Sequence, residues 1–331
     1  MSISKGIAMF FKNPLEKYAS SLSSNFLRAI NGPYFCKSLR EISKARYEDI
    51  ATQPENEVYL VGKRSDREDE MLNATLTEDQ LFYRQNGYVI KRNFIPHDLI
   101  AEYLELRKKL NLGDAGFGTP VSYVEHPEIR RIALFPELVK LFRDLHGMDM
   151  GLLVTHTRHR STERGWHPDG YLDAAEALPR AGVWFALDDI DPRSGPFEYI
   201  AGSHRWKMVN NQMLNTFLKP EYRWPQAHFG AQKGELTWGG IVEAIIDPIV
   251  MKKIEQENLK VESFCPTKGD VLIWHGRLIH RGAVPEVRGL SRPSIIGQYV
   301  PLHEKGRGMF MRNPEGGFFL VRPSLHDAVK F

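Results

Sequence analysis

The amino-acid sequence predicts a mainly β protein with flanking helices, and three observations carry that reading. After residue 150 the chain breaks into short β-type runs separated by Gly, Pro and Asp: GLLVTHT, AGVWFALDDI, PFEYIAGS, DVLIWH and SIIGQYV. Such spacing belongs to an all-β sandwich or barrel. Between residue 76 and residue 147 apolar residues instead recur at helical spacing. The 331 residues contain no internal repeat, heptad array or low-complexity tract that would suggest a solenoid or a coiled coil.

Taken in order, residues 1–75 read as an extension appended to, or packing on, a main domain of residues 76–331. Leu15, Tyr18, Leu22 and Phe26 fall at helical spacing after Pro14, and charges alternate densely from Lys37 to Glu70. The polar face of that helical stripe is not strongly basic, so packing on the main domain is favoured over a membrane surface. From Leu76, Thr77 and Gln80 form a capping-box pair, Leu76 and Leu81 a candidate staple, and Gly87 a helix stop. Leu99, Tyr103, Leu106 and Leu110 predict a second core stripe, and Leu138, Leu141, Phe142 and Leu145, ending at His146-Gly147, a third. Within the β region, residues 240–259 look helical with a kink or break at Pro248, and are expected outside the barrel as an insert.

Composition narrows the function classes. At 42% hydrophobic and 26% charged residues the chain can bury a core without staples, and its two cysteines, Cys36 and Cys265, suggest neither a disulfide framework nor a thiolate metal site. The first apolar run is five residues long and ends at Lys12, too short for a signal sequence, and no later run approaches a membrane span. A cytoplasmic protein without stable membrane insertion is expected. Net charge is +3, with basic residues spread along the chain, which argues against nucleic acid as a partner and suits a small, anionic substrate. Oligomeric state is not legible.

The chemistry-bearing segment is RGWHPDG, Arg164 to Gly170, which puts His167 and Asp169 two residues apart. In extended chain both side chains point to one face, a chelating geometry, and Pro168 between them suits a strand edge at a barrel mouth. With 12 His and 16 Asp in the chain, His-x-Asp arises by chance about half a time, so a surface turn would explain it equally well alone. A second segment raises it: GDVLIWHGRLIHRG, Gly269 to Gly282, carries His275 and His280. Two His and one carboxylate on one face of an octahedral ion leave positions for oxygen and a bidentate co-substrate, the arrangement of non-haem iron(II) oxygenases. Zinc hydrolases use similar ligands, but no HExxH helix is present.

In order along the chain, LTEDQLF (Leu76–Phe82), NGYVI (Asn86–Ile90), WHPD (Trp166–Asp169), WFALDD (Trp184–Asp189), SGPFEYIAGSH (Ser194–His204) and the GD…H…H segment resemble the phytanoyl-CoA dioxygenase family of iron(II)- and 2-oxoglutarate-dependent oxygenases. The resemblance spans roughly Leu76 to Val300. It implies a double-stranded β-helix, the jelly-roll, cupin-like core, with helices buttressing one sheet. It implies Fe(II), 2-oxoglutarate and O2 as reactants, hydroxylation as the default outcome, and succinate as by-product. Halogenases of the family replace the metal carboxylate by a small residue, and Asp169 is present here. By the same resemblance the third ligand is His280 rather than His275. Arg281 stands before Gly282 where the family runs directly into glycine. Arg292, with Arg288 as rival, takes the far carboxylate of 2-oxoglutarate, and His156 and Trp184 match positions beside it. Residues 170–173, Thr162-Glu163-Arg164, and His204 with Arg205 are expected to border the substrate opening. The competing function classes are a non-catalytic ligand-binding or scaffold protein on the same barrel, and an iron oxygenase that does not use 2-oxoglutarate.

Overall fold

A computed structural model describes residues 36–52, 76–169, 180–223, 238–302 and 308–323. The expected stripe from Leu15 to Phe26 and the substrate-side loop 170–173 lie outside them.

The first segment carries helix α1 (Leu39–Lys44) and strand β1 (Ala51–Thr52). Helix α2 (Glu78–Asn86) starts on the expected capping box, with Thr77 and Gln80 each bonding the other's backbone N–H, and ends on Gly87 at φ 79. Only glycine takes that left-handed turn without strain, and a Cβ there would also strike the His204 ring. Leu81 is exposed, so the expected staple is not a buried one.

In helix α3 (His97–Lys109) the buried stripe is Ile100, Tyr103 and Arg107, while Leu110 is exposed. The face is turned from the one expected because Arg107 is needed inside: its guanidinium donates to Gly113 O, Ala115 O and Thr157 O, pinning a loop to the sheet. Periodicity alone does not anticipate a buried arginine. Helix α4 (Pro127–Ala133) and helix α5 (Pro136–His146) follow, the latter burying Leu138, Leu141, Phe142 and Leu145 as predicted and stopping at left-handed Gly147.

The further strands are β2 (Tyr88–Lys91), β3 (Met150–His156), β4 (Ala181–Ala186), β5 (Phe197–Tyr199), β6 (Met208–Val209), β7 (Glu262–Phe264), β8 (Val271–His275), β9 (His280–Gly282), β10 (Ser294–Pro301), β11 (Gly308–Arg312) and β12 (Phe318–Pro323). Apart from β6, which pairs with β1 in a separate two-stranded ladder, they form two facing sheets. The larger sheet has order β11-β12-β3-β10-β4-β8-β2 and the smaller β7-β5-β9. A backbone bridge between His167 and His280 adds a further antiparallel neighbour to the smaller sheet, beyond β9. Trp184, Leu272 and Trp274 of the larger sheet pack on Phe197, Tyr199 and Phe264 of the smaller. The opposite face of the larger sheet, with Val183, Phe185, Val271, Ile273 and Ile295, packs on α3, α4 and α5. This is the double-stranded β-helix, with helices against one sheet.

The pair Gly269-Asp270 is a structural turn. Asp270 is fully buried and accepts from Asn93 N, Thr267 N and the Arg92 guanidinium, which seats the start of β8 against the end of β2.

Residues 240–259 are helical, as expected. Helix α7 (Trp238–Glu257) follows the short helix α6 (Asn211–Leu214) and continues through Pro248, where the sequence allowed a break. It lies outside both sheets, as expected, and is packed into a core. Ile241, Val242, Ile245, Ile246, Ile249 and Val250 are buried in a core shared with Trp166, Ile200 and Ile279 of the barrel and with Ile42, Tyr47 and Ile50 near the N-terminus. A helix apolar nearly all round belongs in an interior, and that burial outweighs the about 3 kcal/mol an internal proline costs.

Candidate metal centre

His167 and His280 are held opposite one another by two backbone hydrogen bonds, His167 N to His280 O and His280 N to His167 O, both 3.0 Å. This pair sits at the lip of the smaller sheet, where Pro168 ends the pairing. Each imidazole is oriented by its own backbone. His167 Nδ1 donates to Gly165 O at 2.6 Å and His280 Nδ1 to Leu278 O at 2.9 Å. Both therefore keep the Nε2 lone pair, which is what a metal requires. Phe197 stacks on the His280 ring at 5.0 Å.

Asp169 completes the group. Its Oδ1 lies 3.9 Å from His167 Nε2 and 3.7 Å from His280 Nε2, and the three ligand atoms stand within 4.8 Å of one another, a cluster that could hold a metal ion. The other oxygen, Oδ2, is taken by the Trp274 indole N–H at 2.9 Å and the Gln298 amide at 3.0 Å. One oxygen is anchored and the other is left for an ion.

The anchoring depends on Gly182. Gln298, Gly182 and Trp274 are cross-strand neighbours on β10, β4 and β8, and a Cβ on Gly182 would meet the Trp274 indole at 2.1 Å. The missing side chain lets the indole fold across β4 to the carboxylate. A register shift between Gln298 and Tyr299, against β3, marks the same spot.

Electrostatics favour metal-ready protonation. Burial pushes both imidazoles below the ordinary histidine range, with the Arg164 charge adding to it at His167; at His280 the Asp169 charge opposes the shift without reversing it. Burial by itself would raise the Asp169 carboxyl, but His280, Arg180 and the Gln298 and Trp274 hydrogen bonds outweigh it and hold Asp169 below its usual value. The site presents two neutral nitrogens and one carboxylate.

His275 is not part of this group. Strand β8 alternates, so Leu272 and Trp274 face the barrel interior while His275 faces the helices, beside Tyr83 and His204. Its Nδ1 accepts from Arg277 N at 3.1 Å.

Arg292 is 3% exposed, and its guanidinium lies 5.6 Å over the Trp184 ring. It donates to Gly195 O at 2.6 Å, but its Nε has no partner, and no carboxylate pairs with it among the described residues. Burial pushes its pKa down to about 10, so it remains charged. An uncompensated buried cation costs several kcal/mol, more than one carbonyl returns. Trp184 Nε1 and Gln298 Oε1 are also buried without partners. The two donors, Arg292 Nε–H and the Trp184 indole N–H, fit a bound carboxylate-bearing molecule, while Gln298 Oε1 is an acceptor. Arg288, by contrast, is an exposed arginine paired with Glu163 at 2.7 Å.

His156 shares a cross-strand row with Ile296 and Trp184. Its side chain is exposed at the end of β3, yet the surrounding protein, then the Arg164 charge, pushes its pKa down, partly offset by Asp169. Arg164 pairs with Glu243 of α7. His204 does not border the opening. It is buried behind the larger sheet, with Nε2 donating to Arg84 O, because left-handed Gly87 leaves room for its ring there. Trp274, Gln298 and Gly182 were not anticipated. Gln298, the polar residue in the apolar run SIIGQYV at the parity of Arg292 and Ile296, was the available signal.

The fold and site define a jelly-roll protein with a buried His-Asp-His cluster and a buried arginine that has no carboxylate partner among the described residues. The model of the phytanoyl-CoA dioxygenase family, PhyH, matches residues 83–284, and the chain belongs to that family of 2-oxoglutarate-dependent oxygenases. No curated protein matches the chain. Among solved structures it is similar to EctD from S. alaskensis with bound Fe, at 14% identity over 84% of this chain and 87% of that one, TM-score 0.49. It is also similar to the epimerase SnoN in complex with Fe3+, alpha ketoglutarate and nogalamycin RO, at 17% identity over 74% and 97%, TM-score 0.47. A third is HygX from Streptomyces hygroscopicus with nickel and 2-oxoglutarate bound, at 18% identity over 77% and 100%, TM-score 0.45. Among the described residues no helix is long and apolar enough to cross a membrane.

Proposed function

We propose that the protein is an iron(II)- and 2-oxoglutarate-dependent dioxygenase that hydroxylates an aliphatic carbon of a small, anionic metabolite. The observation that carries this is the buried His167-Asp169-His280 cluster, whose three ligand atoms lie within 4.8 Å of one another. These three residues would hold iron(II), and Arg292 would hold the distal carboxylate of 2-oxoglutarate beside Trp184 and His156. When bound, the metal and 2-oxoglutarate supply, with O2, an oxidant able to take hydrogen from an unactivated C–H bond, with succinate and carbon dioxide released.

The chain's own part is positional and electrostatic. His167 and His280 stay neutral because they are buried, so their Nε2 lone pairs are available near neutral pH. Trp274 and Gln298 restrain Asp169 to one free oxygen, which keeps coordination positions open. Arg292 orients an anion in a water-poor interior, where a charge-assisted bidentate pair is strong.

The test is iron-dependent conversion of 2-oxoglutarate to succinate, together with the visible charge-transfer band of the anaerobic iron and 2-oxoglutarate complex. Both are expected. A protein that forms no such complex with either addition would refute the proposal, and a screen of metabolite pools for compounds that stimulate succinate formation would find the substrate.

A further inference from the structure

Helix α7 attaches to the metal-delivering segment at three points spaced one turn apart. Glu243 pairs with Arg164. Asp247 accepts from Trp166 N at 2.6 Å through Oδ1. Met251 sulfur accepts from the Trp166 indole N–H at 3.0 Å. Residues 243, 247 and 251 share one helical face, so a single stripe meets Arg164, Gly165 and Trp166 in register. At the middle point the fit is close, since a Cβ on Gly165 would stand 3.0 Å from the Asp247 side chain.

Those three residues immediately precede His167, and two of their backbone groups matter to it. Gly165 O orients the His167 ring. Trp166 N is the donor Asp247 holds. Trp166 is fully buried, and the Arg281 guanidinium lies 4.7 Å over its ring while Arg281 Nε reaches Glu198 at 2.6 Å. Its backbone, indole N–H and ring face are therefore each restrained by a neighbour. Arg281, the departure from the family's pattern, belongs to this clamp. Asp247 is 2% exposed among the buried Ile245, Ile246, Ile249 and Val250 of the same helix, an expensive place for a carboxylate unless it is used.

We propose that helix α7 is a clamp for the metal-binding segment and that Asp247 is its central positioning residue, fixing Trp166 and thereby His167. The proposal rests on the metal reading of the His-Asp-His cluster. It assigns a role in metal retention to a helix outside the barrel that begins 71 residues along the chain from the ligand it serves, His167.

The experiment titrates cobalt(II) alone into metal-free full-length protein, with the visible d–d bands reporting affinity and ligand geometry. Asp247→Leu, of similar volume but without an acceptor, is expected to weaken cobalt binding by about 10- to 100-fold and to change the band pattern. Asp247→Asn keeps an oxygen for Trp166 N–H and is expected to bind within about 3-fold of the parent. Ile245→Ala loosens the same helix at a position off the 243-247-251 stripe, and is expected to lower the melting temperature while leaving affinity unchanged. Met251→Leu, a volume-conserving change that removes the indole's acceptor, is expected to weaken binding by about 3- to 10-fold and serves if Asp247→Leu does not fold. Equal cobalt affinity in Asp247→Leu, or in Met251→Leu should the former not fold, would overturn the clamp alone. So would an equal loss in Ile245→Ala and Asp247→Leu, which would make the effect one of general stability. Failure of the parent protein to bind cobalt would remove the metal reading and the clamp with it.

Discussion

The larger sheet carries a buried histidine group on each side, and the two differ in kind. Inside the barrel, His167 and His280 face Asp169, each with Nδ1 tied to a backbone carbonyl and Nε2 turned toward the carboxylate. Behind the sheet, His275 and His146 flank Tyr83 and His204 lies against His275, and no carboxylate joins them in a metal-ready cluster among the described residues. There the ring nitrogens serve packing: Tyr83 OH meets His146 Nε2 at 3.4 Å, His204 Nε2 donates to Arg84 O, and His275 Nδ1 accepts from Arg277 N. Burial depresses both groups, so lowered basicity does not distinguish a metal site from a core. A carboxylate with one anchored and one free oxygen does.

The largest effect should come from that carboxylate. Asp169→Ala is expected to abolish iron-dependent succinate formation and the charge-transfer band, and undiminished turnover would erase the distinction between the two groups. Arg292→Leu comes next, with the concentration of 2-oxoglutarate needed for half-saturation rising by about 10- to 100-fold, the loss of one charge-assisted pair. An unchanged value there would favour an iron oxygenase that does without 2-oxoglutarate. Trp274→Phe removes one of the two donors to Asp169 Oδ2 and should weaken metal binding by about 10-fold, read by equilibrium dialysis.

Changes behind the sheet should leave metal affinity alone. His275→Leu strands Arg277 N–H and is expected to cost about 1–3 kcal/mol in urea unfolding, with metal affinity unchanged. The same region should govern acid sensitivity. Burial pushes His146 and His204 down to about 4, well under their unfolded value, so below about pH 6.5 the unfolded chain binds protons the folded one does not. Stability of the metal-free protein is therefore complete above that pH and falls as pH drops toward 4, by about 1.4 kcal/mol per pH unit for each such histidine. Chemical denaturation of His146→Gln at several pH values should show the slope reduced by one such increment.

Much of the site could be read from residue order. His167 and Asp169 share a face in extended chain, and the structure puts their ligand atoms 3.9 Å apart. Thr77, Gln80, Gly87 and Gly147 act as caps because capping is settled within four residues of chain. Helix α3 was misjudged by a fraction of a turn because Arg107 is drawn inward by carbonyls that no local pattern shows. His204 was expected at the opening and lies behind the sheet, a consequence of the close approach to Gly87 across the fold. The anchors of Asp169 were invisible for a related reason. Trp274 and Gln298 reach it only because β4 lies between their strands and carries a glycine there.

The sequence by itself determined the strand-rich second half, the helix caps, and the residue types able to bind a metal, because propensity, capping and pleat parity act over a few residues. Only the tertiary structure decided that His280 and not His275 meets His167, that Gly182 opens a path for Trp274, and that α7 grips the segment before the first ligand. Those outcomes depend on which strands and helices become neighbours, and burial of distant surfaces decides that for the whole chain at once.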